Sequence, residues 1–230
     1  MRLLHKGAMT TKTVLVTGAN RGIGLELCRQ LKARGDDVIA VCRASTPELD
    51  ALGVQTESDV DVTDPKALYA LGERLKGVKL DTLIANAGVL QHEELGNLNF
   101  GTIQAQLEVN ALGPLRTVEA FLNNLHKDSK VVLITSRMGS IGDNSSGGYY
   151  GYRMSKAALN AAGMSLSHDL KGRGVAVITL HPGYVRTDMT GNSGGISPAE
   201  SAKMLIARID ALSLKTTGKF LHVNGEELPW

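Results

Sequence analysis

Thr17-Gly18-Ala19-Asn20-Arg21-Gly22-Ile23-Gly24 follows directly on the β-branched apolar run Thr13 to Thr17 and opens the amphipathic pattern Leu25, Leu27, Leu31. A strand that turns through glycines into a helix is suited to phosphate. Gly18 allows a tight turn off the strand, Gly22 lets the backbone approach a phosphate, and Gly24 lets the helix pack closely on the sheet. The free N–H groups at the new helix's start then face an anion. The loop's candidate nucleotide contacts are Gly18, Asn20, Arg21, Gly22, Ile23 and Gly24. Its place after a first strand and before a helix makes it more than a stray glycine cluster.

The same alternation continues outward. Short apolar runs recur at Asp37 to Cys42, Leu80 to Ala85, Lys130 to Thr135, Ala176 to His181 and Lys219 to Val223, with Val54 to Ser58 the weakest candidate strand. Runs of this kind are typical of strands buried on both faces. Helical spacing covers Gly22 to Arg34, Pro65 to Lys76, Thr102 to Leu125, Tyr152 to Lys171 and Pro198 to Leu212. Strand and helix in alternation imply right-handed crossovers. The expected fold class is therefore α/β, a Rossmann-type doubly wound parallel sheet of about seven strands with helices on both faces. Residues 1 to 11 read as a flexible tail and 12 to 230 as one domain.

Bulk properties narrow the function. The chain has 230 residues, 43% hydrophobic, and a formal net charge of +2 with both signs interspersed. Such a surface offers no footprint for nucleic acid or an anionic membrane, and a small soluble ligand is the better partner. No apolar run approaches the roughly 20 residues that cross a bilayer. Cys28 and Cys42 lack metal-ligand spacing, no metal site is expected, and no charged-then-apolar signal opens the chain. A reduced, cytoplasmic protein is the expectation.

Two features point to chemistry. Sheets of this kind that bind NAD usually end their second strand in an acid that holds the ribose 2′-hydroxyl, but here the strand ends Val41-Cys42-Arg43. Arg43 can instead meet a 2′-phosphate with a planar, charge-assisted fork, and Arg21 can approach the same group. That reads as NADP(H) in preference to NAD(H). Further along, Tyr152 and Lys156 stand one helical turn apart on one face. A phenol of pKa about 10 is a poor acid or base at neutral pH, and a neighbouring ammonium would favour the phenolate.

Taken with Asp61-Val62, Asn86-Ala87-Gly88, Asn110, Ser136 and Pro182-Gly183, these motifs occur in an order that resembles the short-chain dehydrogenase/reductase family in its compact form, over Thr13 to about Val223. Val109-Asn110-Ala111-Leu112-Gly113-Pro114, Tyr152-Arg153-Met154-Ser155-Lys156 and Gly225-Glu226-Glu227-Leu228-Pro229-Trp230 are similar to its C-factor and sniffer branch of carbonyl reductases. The resemblance implies reversible hydride transfer between a nicotinamide and a carbonyl or alcohol carbon. It makes Tyr152 the general acid/base, and gives Lys156 the tasks of lowering the phenol's pKa and holding the nicotinamide ribose. Ser136 would bond the substrate oxygen, and Asn110, inside the helix Thr102 to Leu125, would hold a water that links Lys156 to solvent. Asp61 and Val62 would border the adenine, and Asn86, Ala87 and Gly88 would line the cofactor channel. Pro182 and Gly183 lead to Val185 and Thr187, which would face the carboxamide.

Some positions depart from the family pattern. A long loop, Asn144 to Gly148, makes Ser140 a rival to Ser136, although Ser136 directly follows its strand. His181 stands where relatives often have Asn and is read as structural. Asp64, before Pro65, reads as a helix cap. The segment Thr187 to Pro198 is a short, glycine-containing lid, beside which Arg137, Met138, Tyr149, Tyr184 and Met189 could line an open substrate site. The resemblance also implies a homodimer or homotetramer through the segments carrying Asn110 and Tyr152. Two alternatives to the carbonyl reductase are an NADP-binding signal or sensor of C-factor type with little turnover, and a sugar-nucleotide epimerase. The short stretch after the sixth strand disfavours the epimerase.

Overall fold

The computed structural model describes residues 11–230, so all of the expected tail except Thr11 lies outside the described residues. β1 (Thr13–Thr17), α1 (Gly22–Arg34), β2 (Asp37–Val41), α2 (Pro47–Asp50), β3 (Gln55–Glu57), α3 (Pro65–Arg74) and β4 (Leu80–Ala85) form the first half. The second half is α4 (Phe100–Leu107), a π-helical segment Glu108–Leu112, α5 (Gly113–Ala120), β5 (Leu125–Ile134), α6 (Tyr150–Asp169), β6 (Ala176–His181), α7 (Pro198–Ala211) and β7 (Lys219–His222). All seven strands pair in parallel in the order 3-2-1-4-5-6-7. Strand order reverses between β1 and β4, and a crevice opens there beyond the strands' carboxyl ends.

Strand side chains alternate between two cores. Val14 and Val16 of β1 join Leu27 and Leu31 of α1 and Leu205 and Ile209 of α7 on one face. Leu15 joins Leu68 and Leu71 of α3, Phe121 after α5 and Leu159 of α6 on the other. Both faces are covered, which is why the strands read as unbroken apolar runs. Each fully buried Leu or Ile contributes about 1.5–3 kcal/mol by leaving water.

Local chemistry sets most helix ends. The Asp64 carboxylate accepts from Lys66 N at 2.9 Å with Pro65 at the first position of α3, as its sequence implies. Ser197 and Glu200 form a reciprocal capping box on α7.

The expected helix from Thr102 to Leu125 is corrected. It breaks into α4, the π segment and α5, and β5 begins at Leu125, well before Lys130. Gly113-Pro114 explains the break. Pro114 has no N–H for the Asn110 carbonyl four residues back, and Gly113 N reaches instead to Glu108 O, five residues back. α2 was not expected; it is a single turn that Thr46 caps at Leu49 N and Pro47 opens.

Candidate active site

The glycine loop is built as its sequence requires. Gly18 and Gly22 have φ of 66° and 56°, left-handed values that favour glycine. A Cβ on Gly18 would lie 2.8 Å from Ala87 Cα, and one on Gly24 would lie 2.1 Å from Gly18 O. Among the described residues no side chain caps α1, and its first turn carries no acid. Its leading N–H groups are therefore available to an external anion.

Residues from β1 and β4 fasten the crevice together. Thr17 Oγ1 accepts from Asn86 N and Ala87 N at 3.1 and 3.2 Å, and Asn86 Nδ2 donates to the carbonyls of Thr17 and Gly18. The Asn86 side chain thus spans the two strand ends. Asn20 Nδ2 donates to Ala44 O, which ties the glycine loop to the turn after β2. Ile23 and Val62 spend their side chains on packing: Ile23 lies against the α1 core, and Val62 is close to Gly113.

Two exposed arginines flank the loop. Arg43 Nη1 lies 4.0 Å from Asp61 Oδ2, and Arg21 Nη1 lies 3.8 Å from Asp188 Oδ2, just past Thr187. Pairs so open to water are weak and leave both guanidinium groups free to exchange partners. Asp61's other oxygen accepts from Thr63 N and Oγ1, so it also shapes the turn before α3.

Across the crevice, the serine turn after β5 meets α6. Tyr152 is buried, at 8% exposure, with Ser136 near enough to act on its phenol. Lys156, at 4% exposure, donates from Nζ to Ile134 O at 2.9 Å and lies 5.8 Å from the Tyr152 ring centroid. A Cβ on Gly88 would fall 3.3 Å from Asn110 Oδ1 and 3.7 Å from Lys156 Nζ, so these three positions converge. Ser140 turns away, with Oγ on Trp230 O and accepting from Asp143 N. Of the two serines, Ser136 is the one beside the phenol.

One mechanistic expectation is corrected by the burial of the phenol. The Tyr152 pKa is raised, not lowered. Burial disfavours the phenolate by more than the nearby Ser136 hydroxyl favours it, while burial brings Lys156 itself down to about 8. The Asn110 side chain is anchored at both ends, Oδ1 accepting from Val89 N while Nδ2 donates to Val89 O and Ser155 Oγ, which leaves one lone pair on Oδ1. Ser155 Oγ in turn donates to Tyr152 O, which joins the π segment to α6.

The chain leaves the sheet after β6 at Pro182, whose carbonyl accepts from Ser201 Oγ. Gly183 has φ of 87°, and Val185 is buried and bridged to Ile196. Thr187 comes next to Gly22, 3.5 Å from where that residue's Cβ would be. Arg137 leaves the cleft to pair with Asp143 and Glu226, whereas Tyr184 and Met189 remain exposed.

Sequence reasoning passed over Thr17, Ser155 and Glu93 as site residues. Thr17 and Ser155 stand inside quoted motifs. Glu93 lies in an irregular loop with no periodicity to mark it.

The family model described as short chain dehydrogenase matches residues 12–195. The chain belongs to the short-chain dehydrogenase/reductase family. A 1-hydroxy-2-glutathionyl-2-methyl-3-butene dehydrogenase of Rhodococcus sp. (strain AD45) is 48% identical over 224 residues, which is 95% of this chain and 99% of the relative. The C-signal of Myxococcus xanthus is 42% identical over 154 residues, 66% of this chain and 93% of that protein. The crystal structure of NADPH-bound carbonyl reductase from chicken fatty liver superimposes with a TM-score of 0.87 at 32% identity, covering 96% of this chain and all of that one. This short-chain dehydrogenase/reductase is accordingly an oxidoreductase with a carbonyl-reductase-like fold.

Proposed function

We propose that the protein moves hydride between NADP(H) and the carbon of a carbonyl or alcohol, with Tyr152 giving or taking the proton on the oxygen. The observation that carries this reading is the meeting of Tyr152, Ser136 and Lys156 at the crevice edge, opposite a glycine loop whose helix start is uncapped. The nicotinamide supplies the hydride chemistry. Around it, Gly18, Asn20, Arg21, Gly22, Ile23 and Gly24 would hold the pyrophosphate side, and Arg21 and Arg43 the 2′-phosphate, exchanging Asp188 and Asp61 for it. Asp61 and Val62 would border the adenine. Asn86, Ala87, Gly88, Pro182, Gly183, Val185 and Thr187 would line the nicotinamide half.

Tyr152, held neutral by burial, is in the right state to donate its proton in reduction. Ser136 orients the substrate oxygen toward that proton and stabilises charge developing there. Lys156, with its pKa near 8, can hold ribose hydroxyls and resupply the proton at mildly alkaline pH. The Asn110 backbone carbonyl, deprived of a Pro114 N–H, would hold a water leading from Lys156. The name of the 48% identical relative points to primary alcohols whose neighbouring carbon carries a thioether as one substrate class, and the two carbonyl-type directions are one reversible reaction. The C-signal likeness gives the signalling alternative some weight, but a pure binding module has no chemical need for Ser136, Tyr152 and Lys156 together. We also propose that the protein works as a symmetric homo-oligomer.

NADPH oxidation with a panel of aldehydes, ketones, quinones and glutathionyl alcohols tests this, the alcohols being run with NADP+. The Tyr152→Phe variant should lose at least about a hundredfold in kcat, the usual worth of a general acid, and NADPH should bind more tightly than NADH. Full turnover by Tyr152→Phe, or equal dissociation constants, would overturn the corresponding half of the proposal.

A further inference from the structure

Every helix leaves its first N–H groups without intrahelical partners, and α6, which carries Tyr152 in its first turn, has no cap of its own. Its N-cap, Tyr149, takes a left-handed φ of 51°, its side chain accepts nothing from the first turn, and that turn holds no acid. The missing acceptors come from 58 residues earlier. Glu93 Oε2 accepts from Gly151 N at 3.1 Å, and the Glu93 backbone carbonyl accepts from Tyr149 N at 2.9 Å.

The other carboxylate oxygen, Oε1, accepts from Thr102 Oγ1 at 2.8 Å and Gln106 Nε2 at 2.7 Å, both on α4. Gln106 is fixed in turn, its own oxygen accepting from Gln91 N at 2.9 Å. Glu93 is 2% exposed and Gln106 wholly buried, so water cannot substitute for these bonds. The junction is tight as well. A Cβ on Gly151 would come 2.5 Å from Gln106 Nε2 and 3.1 Å from Glu93 Oε1, and Tyr152 is the next residue.

A carboxylate buried among neutral donors loses most of its hydration, and a fold retains it where its bonds hold something in place. Here the negative group sits at a helix N-terminus, where the helix dipole favours it. We propose that Glu93 is a positioning residue for the reaction: it caps α6 from outside and thereby sets where the Tyr152 phenol stands relative to Ser136 and Lys156. This rests on the reading of Tyr152 as the proton-transfer group.

The test compares Glu93→Gln, the swapped pair Glu93→Gln with Gln106→Glu, and Tyr152→Phe, using 4-nitrobenzaldehyde or the panel member that turns over fastest. In the single variant an amide nitrogen faces the Gln106 amide nitrogen. In the swap, the amide introduced at position 93 can donate to the new carboxylate and still accept from Gly151 N. Glu93→Gln should lower kcat by at least about tenfold with KM and the NADPH dissociation constant within about twofold, and the swap should restore kcat to within about threefold of the parent. A Glu93→Gln enzyme with parental kcat and only a lower melting temperature would overturn the proposal. So would a swap that regains stability without turnover. Should Glu93→Gln not fold, Glu93→Asp keeps the charge, shortens the reach by one methylene, and should show the same selective loss of kcat; parental kcat there would also overturn it. Parental turnover in Tyr152→Phe would instead refute the role of Tyr152, which keeps the two failures distinguishable.

Discussion

His181 ends β6 with its Nδ1 buried and, among the described residues, without a partner, its ring edge-on to His222 at 4.9 Å between centroids. Burial, then the neighbouring charges of His222, Arg137 and Lys156, bring its pKa down to about 3. Between that value and the unfolded value near 6.5, the unfolded chain binds a proton that the folded protein refuses, so falling pH through this window costs stability. His181→Asn removes the effect. Urea unfolding between pH 3.5 and 6.5 should show a shallower acid slope for the variant, by up to about 1.4 kcal/mol per pH unit; parallel slopes would mean that the ring charges freely in the folded protein. At this scale the sequence was readable where a residue's type dictates its geometry. Gly18 and Gly22 needed left-handed backbone, Asp64 had Pro65 behind it, and Tyr152 and Lys156 shared a helix face. It was unreadable where the partner is remote: nothing near Glu93 or Asn110 in the chain announces Gly151 or Val89.

Among the elements, the short turn after β5 and the helix α6 meet most closely at Gly139. A Cβ there would fall 2.7 Å from the Lys156 carbonyl carbon and 2.9 Å from its Cβ, all parts of a rigid helix interior. The turn begins at Ser136, whose Oγ accepts from Met138 N at 3.2 Å, so displacing Gly139 displaces the serine. Gly139→Ala should therefore reduce kcat by at least about tenfold, since small misplacement of reacting groups is costly, while NADPH binding, most of whose proposed contacts lie across the crevice, falls by less. Equal kcat for the variant and parent would show that the turn relaxes without moving Ser136. Element identity was clear where an apolar run was short and β-branched, as in β1, β4 and β6, and unclear where helical spacing persisted through a break. Apolar periodicity from Thr102 onward does not record that Pro114 withholds a hydrogen bond from Asn110, and the π segment follows from that backbone detail.

For the whole molecule, the alternation of strand and helix was sufficient to specify a parallel sheet with two covered faces, but not the 3-2-1-4-5-6-7 order, which depends on which strands meet in space. Assembly is a question at this same scale. Phe100 on α4, Leu112 and Leu115 around the start of α5, and Met154 on α6 are all exposed, Phe100 at 72% and Met154 at 51%. Large apolar side chains so placed on neighbouring helices are what a self-complementary interface would cover, and a two-fold axis through this face would bring each patch onto its own copy. Burying one such side chain contributes about 1.5–3 kcal/mol, and a symmetric contact counts it twice, whereas an Asp there would have to be desolvated on both sides. Light scattering of the parent should give a dimer or tetramer, and Leu115→Asp combined with Met154→Asp should yield single chains at micromolar concentration. A parent that is already monomeric throughout that range would refute the proposed oligomer, and a double variant that still associates would move the interface to another face.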